Sequence, residues 1–204
     1  MRRIKILYNK IGIKKTKILI LFFCLYTIYN CTVPAYEKLS VEDPGLLLSI
    51  KDSLIDKHGK KQSLIESFVR AHNALGLSEM KRQNYYAAVD HFILSQELIS
   101  SDTAAIYNMI MAEGHILYMK GSKNGLWNAV EKYSKAAQLY TNLGDPYYYM
   151  GLTYQKLGDK DFDLILESYN NALMRTLTDK KRNEVEIAKK IALNRQNKLK
   201  QFWR

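Results

Sequence analysis

Cysteine and proline are scarce in this chain. Its 204 residues hold two cysteines, Cys24 and Cys31, and three prolines. Everything after Cys31 therefore forms no internal disulfide and no cysteine-ligated metal site. The four histidines, His58, His72, His91 and His115, show no i, i+4 pairing and no HExxH, so a helical zinc motif is excluded. "GSKNG" at 121–125 lacks the GxxxxGK[ST] spacing of a phosphate loop. There is no Gly-x-Ser-x-Gly elbow for a nucleophilic serine. No apolar run reaches the 20 or so residues of a membrane-spanning helix. The expectation is a chain with no catalytic residue, metal or cofactor, and not an enzyme. Val and Thr are few, while Leu, Ile, Lys, Asn and Tyr abound, a composition that favours helix over sheet.

What is present begins at the N-terminus. Arg2, Arg3, Lys5, Lys10, Lys14, Lys15 and Lys17 come without an acid, and residues 18–30, "ILILFFCLYTIYN", carry no charge. A basic stretch before 7–15 apolar residues is the pattern of a secretory signal. Residues 1–30 thus read as a targeting segment, either cleaved or kept as an anchor. Cys31 follows directly, and the chain then turns polar. The run Ile28-Tyr29-Asn30-Cys31 resembles the looser lipobox of spirochaete lipoproteins. That resemblance implies lipidation (palmitate) at Cys31, with Cys24 the rival acceptor. It also implies a place in the bacterial cell envelope, at the periplasmic side or the cell surface.

The formal charge of +11 is unevenly spread. Without residues 1–30 the chain keeps 24 basic and 20 acidic residues, and residues 180–204 alone hold nine basic and two acidic. The body between is mildly acidic and the C-terminus is basic. Nucleic acid is not expected as a partner, because that tail alone would have to carry the binding.

Small and aromatic residues recur in the middle of the chain. Leu75-Gly76 is followed by Ala88, Phe92 and Ser95; Ala129, Tyr133 and Ala136 repeat the spacing; Met150-Gly151 is followed by Tyr154, Tyr169 and Ala172. The pattern resembles the tetratricopeptide repeat, a 34-residue helix-turn-helix. The resemblance implies an all-α fold: a short right-handed superhelical solenoid of about three such repeats, with flanking N- and C-terminal helices. The repeats fall at 69–102, 103–143 and 144–179. The second is seven residues too long, close to two helical turns, and has Met109-Ile110 where Leu-Gly is expected. Its first helix is expected to end near Lys120, before a loop at Gly121–Gly125. Gly76 and Gly151 should lie against a neighbouring helix, with Phe92, Tyr133 and Tyr169 filling the space between successive repeats. Asp145 should cap a helix begun by Pro146, and Gly158 should end it.

Flanking elements complete the expectation. Residues 31–44 read as a tether. In 45–68, Leu46, Leu47, Ile50 and Leu54 form one apolar stripe begun at Asp43-Pro44 and broken at Gly59. At 180–204, Val185, Ala188, Ile191, Ala192, Leu199 and Phe202 share a face that would cap the last repeat. A basic helix that meets a membrane surface or an acidic partner is the rival reading. Glu79 and Glu113 are expected at matching positions of two first helices, where Tyr154 stands in the third.

In the repeat family the concave face is lined by first-helix residues. The resemblance places there Arg70, Asn73, Leu77, Met80 and Lys81; Tyr107, Met111 and His115, with Tyr118 a turn further; and Tyr148, Leu152, Gln155 and Lys156. Two functions follow from it. One is a lipid-anchored adaptor that binds a protein or peptide in the envelope. The other is a ligand- or transport-accessory lipoprotein that holds a small solute inside the superhelix, which would require a closed cavity lined by Tyr107, Tyr118 and Tyr148.

Overall fold

The computed structural model describes residues 34–158 and 161–202. The apolar N-terminal segment and Cys31 lie outside these. The chain divides into two units, residues 1–38 and 39–204, the first described only from Pro34. Residues read as a tether include a helix, α1 (Ala35–Glu42). Ala35, Glu37, Lys38 and Leu39 are good helix formers, and Pro34 stands just before the start.

The rest is helical as well: α2 (Pro44–Ser49), α3 (Lys51–His58), α4 (Gln62–Lys81), α5 (Tyr85–Leu98), α6 (Thr103–Lys120), α7 (Lys123–Leu139), α8 (Asp145–Leu157), α9 (Phe162–Leu173) and α10 (Asp179–Phe202). Among the described residues the one β-type pairing is a single bridge between Leu143 and Thr176. From α4 onward each helix packs on the next, and α2 packs on α4. Contacts also link α4 with α6, and α8 with α10.

Local chemistry explains most boundaries. Asp43 caps α2 through its carboxylate, which accepts from Leu46 N–H at 2.9 Å. The stripe expected as one helix is split, because Ile50 leaves helical geometry between α2 and α3. Asp102 caps α6, accepting from the N–H groups of Ala104 and Ala105. Its other oxygen accepts from Asn73 Nδ2 at 2.7 Å and Ser95 Oγ at 3.1 Å, tying α4 and α5 to the start of α6. Gly121 ends α6 in the left-handed conformation, with its N–H on Leu117 O. The expected loop at 121–125 is shorter: Ser122 already caps α7, and Gly125 lies buried inside it. Asp145 does not cap α8; it is the helix's first residue, preceded by Gly144, and its half-buried carboxyl is raised above its ordinary pKa chiefly by burial.

Three glycines set the spacing of the helix pairs. A Cβ on Gly76 of α4 would meet the Phe92 ring of α5 at 2.5 Å. One on Gly114 of α6 would meet the Tyr133 ring of α7 at 2.6 Å, and one on Gly151 of α8 the Tyr169 ring of α9 at 2.5 Å. Each ring is fully buried, which contributes roughly 2–3 kcal/mol per side chain. The rings fill the space within a pair, against its own glycine, and also reach the next element: Phe92 clusters with Ala105 and Ala112 of α6, and Tyr133 stacks on Tyr149 of α8. Ala88, Ala129, Ser95, Ala136 and Ala172 are all buried.

The register of the middle pair differs from the sequence reading. Its close-approach residue is Gly114, four residues beyond Ile110. Of the seven extra residues of this repeat, four precede the glycine. Counting from the glycines, Glu79 corresponds to Leu117 and Tyr154, so Glu113 is not its counterpart. Tyr148 corresponds to Met111 and Asn73, so Tyr107 is not its counterpart.

Candidate functional site

Counting from the glycines gathers one face of α6 and α8. Position by position it holds Met111 and Tyr148, His115 and Leu152, Tyr118 and Gln155, Met119 and Lys156. Their surroundings separate structural from available groups. Met111 and His115 are buried and offer no free side chain. Gln155 is engaged as an acceptor, from the Tyr169 hydroxyl at 2.9 Å. Leu152 packs half-buried on the cluster formed by Ile165, Tyr169 and Val185. Tyr118 and Tyr148 are half-buried, and Lys156 is exposed.

Around them lies an aromatic cluster built by five helices. His115 Nδ1 is 2.8 Å from the Tyr133 hydroxyl. Its ring packs on Tyr85 of α5, with centroids 4.9 Å apart, and edge-on to Tyr149 of α8 at 4.3 Å. Tyr149 stacks on Tyr133 at 5.5 Å and touches Tyr148 at 5.2 Å. Lys181 of α10 brings its ammonium to 5.0 Å from the Tyr148 ring centre and 5.4 Å from that of Tyr149. It also donates to Glu184 at 2.8 Å. Lys156 sits 4.4 Å over the Tyr118 ring and donates to Tyr118 O at 2.9 Å. Cations over ring faces gain from the aromatic quadrupole, and a desolvated setting strengthens the effect.

Electrostatics keep these groups in fixed states at neutral pH. Burial, aided by Lys181, lowers His115 to about 4, so its imidazole is neutral. Burial raises the Tyr85, Tyr118, Tyr133 and Tyr148 hydroxyls, which stay protonated. Lys181 is raised, its bond to Glu184 and the neighbouring Tyr149 outweighing the cost of burial. The face therefore offers π surface, hydroxyl donors and two cations held on rings.

The remaining sequence-derived site residues fall elsewhere. Arg70 is turned to the hydroxyls of Ser40 and Ser67. Asn73 is held by Asp102, and Met80 packs against Phe92 and Met111 neighbours. Leu77 is 43% exposed and Lys81 is exposed. Tyr107 meets Tyr140 edge-on at 5.1 Å, and burial raises its hydroxyl well above the ordinary value. Cys31 lies outside the described residues. Sequence reasoning missed Tyr85, Tyr133, Tyr149 and Lys181 as members of one cluster. Three consecutive tyrosines at 147–149 do not reveal which one turns inward, and Lys181 arrives from a helix read as a cap.

His72 and His91 also meet, with Nδ1 atoms 3.3 Å apart across α4 and α5. Burial first, then His91 and Lys51, lowers His72 to about 4. Among the described residues no three His, Cys, Asp or Glu side chains gather as metal ligands, and no helix is long and apolar enough to cross a membrane. A cavity of about 830 Å³ opens beside Asn142, Asn171, Arg175 and Arg182. Tyr107, Tyr118 and Tyr148 are not on its wall. Its guanidiniums are engaged within the fold: Arg175 donates to Thr141 O and to the backbone and side-chain oxygens of Asn171, and Arg182 to Leu173 O and Arg175 O.

The fold and site define an all-helical protein with sequentially packed helices and an aromatic, cation-bearing face. No family model matches the chain and no curated protein matches it.

Proposed function

We propose that this chain is a non-enzymatic interaction protein, a lipid-anchored, tetratricopeptide-like adaptor of the bacterial envelope that binds a protein or peptide. The observation that carries the reading is the triple recurrence of glycine on a buried ring, Gly76 on Phe92, Gly114 on Tyr133 and Gly151 on Tyr169. Three helix pairs with the same close approach are what a repeat solenoid requires, and its first helices supply a continuous recognition surface. The surface is the face of α6 and α8 bordered by Lys181. Its half-buried tyrosines are rigid, carry an apolar body and a polar tip, and suit binding hot spots.

The site is tested by paired truncation. Tyr118→Ala with Tyr148→Ala should weaken binding to the envelope partner at least tenfold, equivalent to about 1.4 kcal/mol, with helicity unchanged by circular dichroism. The partner is first obtained by crosslinking and purification of the tagged protein from detergent-solubilised envelopes, and affinity is then measured with the purified partner. Equal affinity in the folded double variant would remove the face from the mechanism.

The anchor has its own test. Radiolabelled palmitate should enter the wild-type chain and be lost in Cys31→Ser. Label kept in Cys31→Ser and lost in Cys24→Ser would move the acceptor. A single acyl chain holds a protein only marginally at a membrane, so a lone anchor would call for a second contact.

A further inference from the structure

Helix α10 has two unlike halves. Its first half packs on α9 and α8, and Val185 and Ala192 are buried there with Ala188 beside them. Beyond Ala192 no described side chain is buried. The expected capping face is therefore only half used: Ile191, Leu199 and Phe202 are 49%, 40% and 79% exposed. At 1.5 Å per residue the helix runs about 15 Å past its last buried side chain.

This outer half has a composition of its own. Beyond Ala192 it holds three cations, Arg195, Lys198 and Lys200, and no acid, and Lys189 and Lys190 lie just before it. Nothing acidic stands three or four residues from Lys198 or Lys200 in the sequence, so neither gains an i, i+3 or i, i+4 helical counter-ion. The exposed Ile187, Ile191, Leu199 and Phe202 fall within about 120° of the helix circumference at 100° per residue. Arg195 and Lys198 rise from the same sector, where long stems lie over apolar surface while their charged ends reach outward. Lys189 and Lys190 flank it.

We propose that the outer half of α10 lies on an anionic lipid surface. Positive charge matches the acidic headgroups, and the exposed isoleucine, leucine and phenylalanine side chains enter the acyl boundary. An acidic peptide would satisfy the cations but leave these apolar side chains in water, which favours lipid as the occupant. The contact is distinct from the α6–α8 face: it uses side chains beyond Ala192 together with the exposed Ile187 and Ile191. It would supply the second membrane contact that one lipid chain needs.

Amide hydrogen exchange of the full chain tests this residue by residue. The chain is added to vesicles of phosphatidylcholine alone, or of equal parts phosphatidylcholine and phosphatidylglycerol. Both can take up the N-terminal segment, so the difference between them reports on α10. Exchange across residues 193–202 should slow about tenfold on the anionic vesicles only. The effect should vanish in 1 M salt, where the screening length falls to about 3 Å, and in Arg195→Glu/Lys198→Glu/Lys200→Glu, whose substitutions lie outside the packed half. Equal exchange on the two vesicle types overturns the proposal. So does protection by soluble polyglutamate without protection by anionic vesicles, which would assign the helix to an acidic protein partner.

Discussion

Stability should fall steeply between pH 6.5 and pH 4, with a loss of about 3 kcal/mol for His115 alone. The imidazole is lowered from 6.5 to about 4, first by burial and then by Lys181. In the unfolded chain it regains its ordinary affinity for protons. Over that window the unfolded state binds the proton and the folded state does not, so acid favours unfolding. The contribution is fully present above pH 6.5, declines as pH falls, and levels off below about 4. His72, lowered to about 4 by burial and by His91, acts in the same direction. The groups facing His115 come from four helices: Tyr85, Tyr133, Tyr149 and Lys181. None is an acid that would hold an imidazolium. Urea unfolding at pH 7.5, 5.5 and 4.5 measures the slope. His115→Gln, which retains a polar partner for the Tyr133 hydroxyl, should flatten it. An unchanged slope in that variant would mean that His115 is neither buried nor neutral.

Gly114→Leu should destabilise the protein by roughly 1–3 kcal/mol through over-packing, lowering Tm by about 2–4 °C per kcal/mol for a chain of this size. The sign is informative, since an exposed helical glycine replaced by a better helix former gains about 1 kcal/mol. Here a Cβ would lie 2.6 Å from the Tyr133 ring. That ring has little freedom to move: it is fully buried, stacked on Tyr149, and bonded through its hydroxyl to His115. Ile110→Ala is the register control. Ile110 stands where the sequence spacing alone puts the close approach, yet it packs only half-buried on the Tyr133 cluster, so shortening it relieves no clash. A thermal melt in which Gly114→Leu is neutral would return the close approach to position 110.

Helix type was legible almost everywhere. Asp43-Pro44, Gly121 and Gly158 are local signals, and each lies at a helix end. Gly76 and Gly151 were also legible as points of close contact, because an interior glycine lowers helix propensity and implies a neighbour that needs its surface. The aromatic face was legible only in part. Tyr118, Tyr148 and Lys156 are on it, whereas Met111 is buried and Tyr107 is spent on Tyr140. Tyr107 is off the face because a fixed 34-residue spacing ignores the extra residues ahead of Gly114, whereas Met111 holds the position of Tyr148 but packs inward on the Tyr133 cluster.

Local chemistry in the sequence by itself determined that the chain is helical, where most helices begin and end, and that the recurring Ala88, Phe92, Ala129, Tyr133, Tyr169 and Ala172 would be buried. Those properties depend on backbone capping, propensity and 3.6-residue periodicity, all readable within a few positions. Only the tertiary structure decided the register of α6 against α7, the partners of His115 and the split role of α10. Each of these depends on which side chain comes nearest across two helices. Insertions of nearly whole turns preserve the apolar stripe while shifting that partner, so periodicity does not distinguish Ile110 from Gly114, and the Tyr133 ring does.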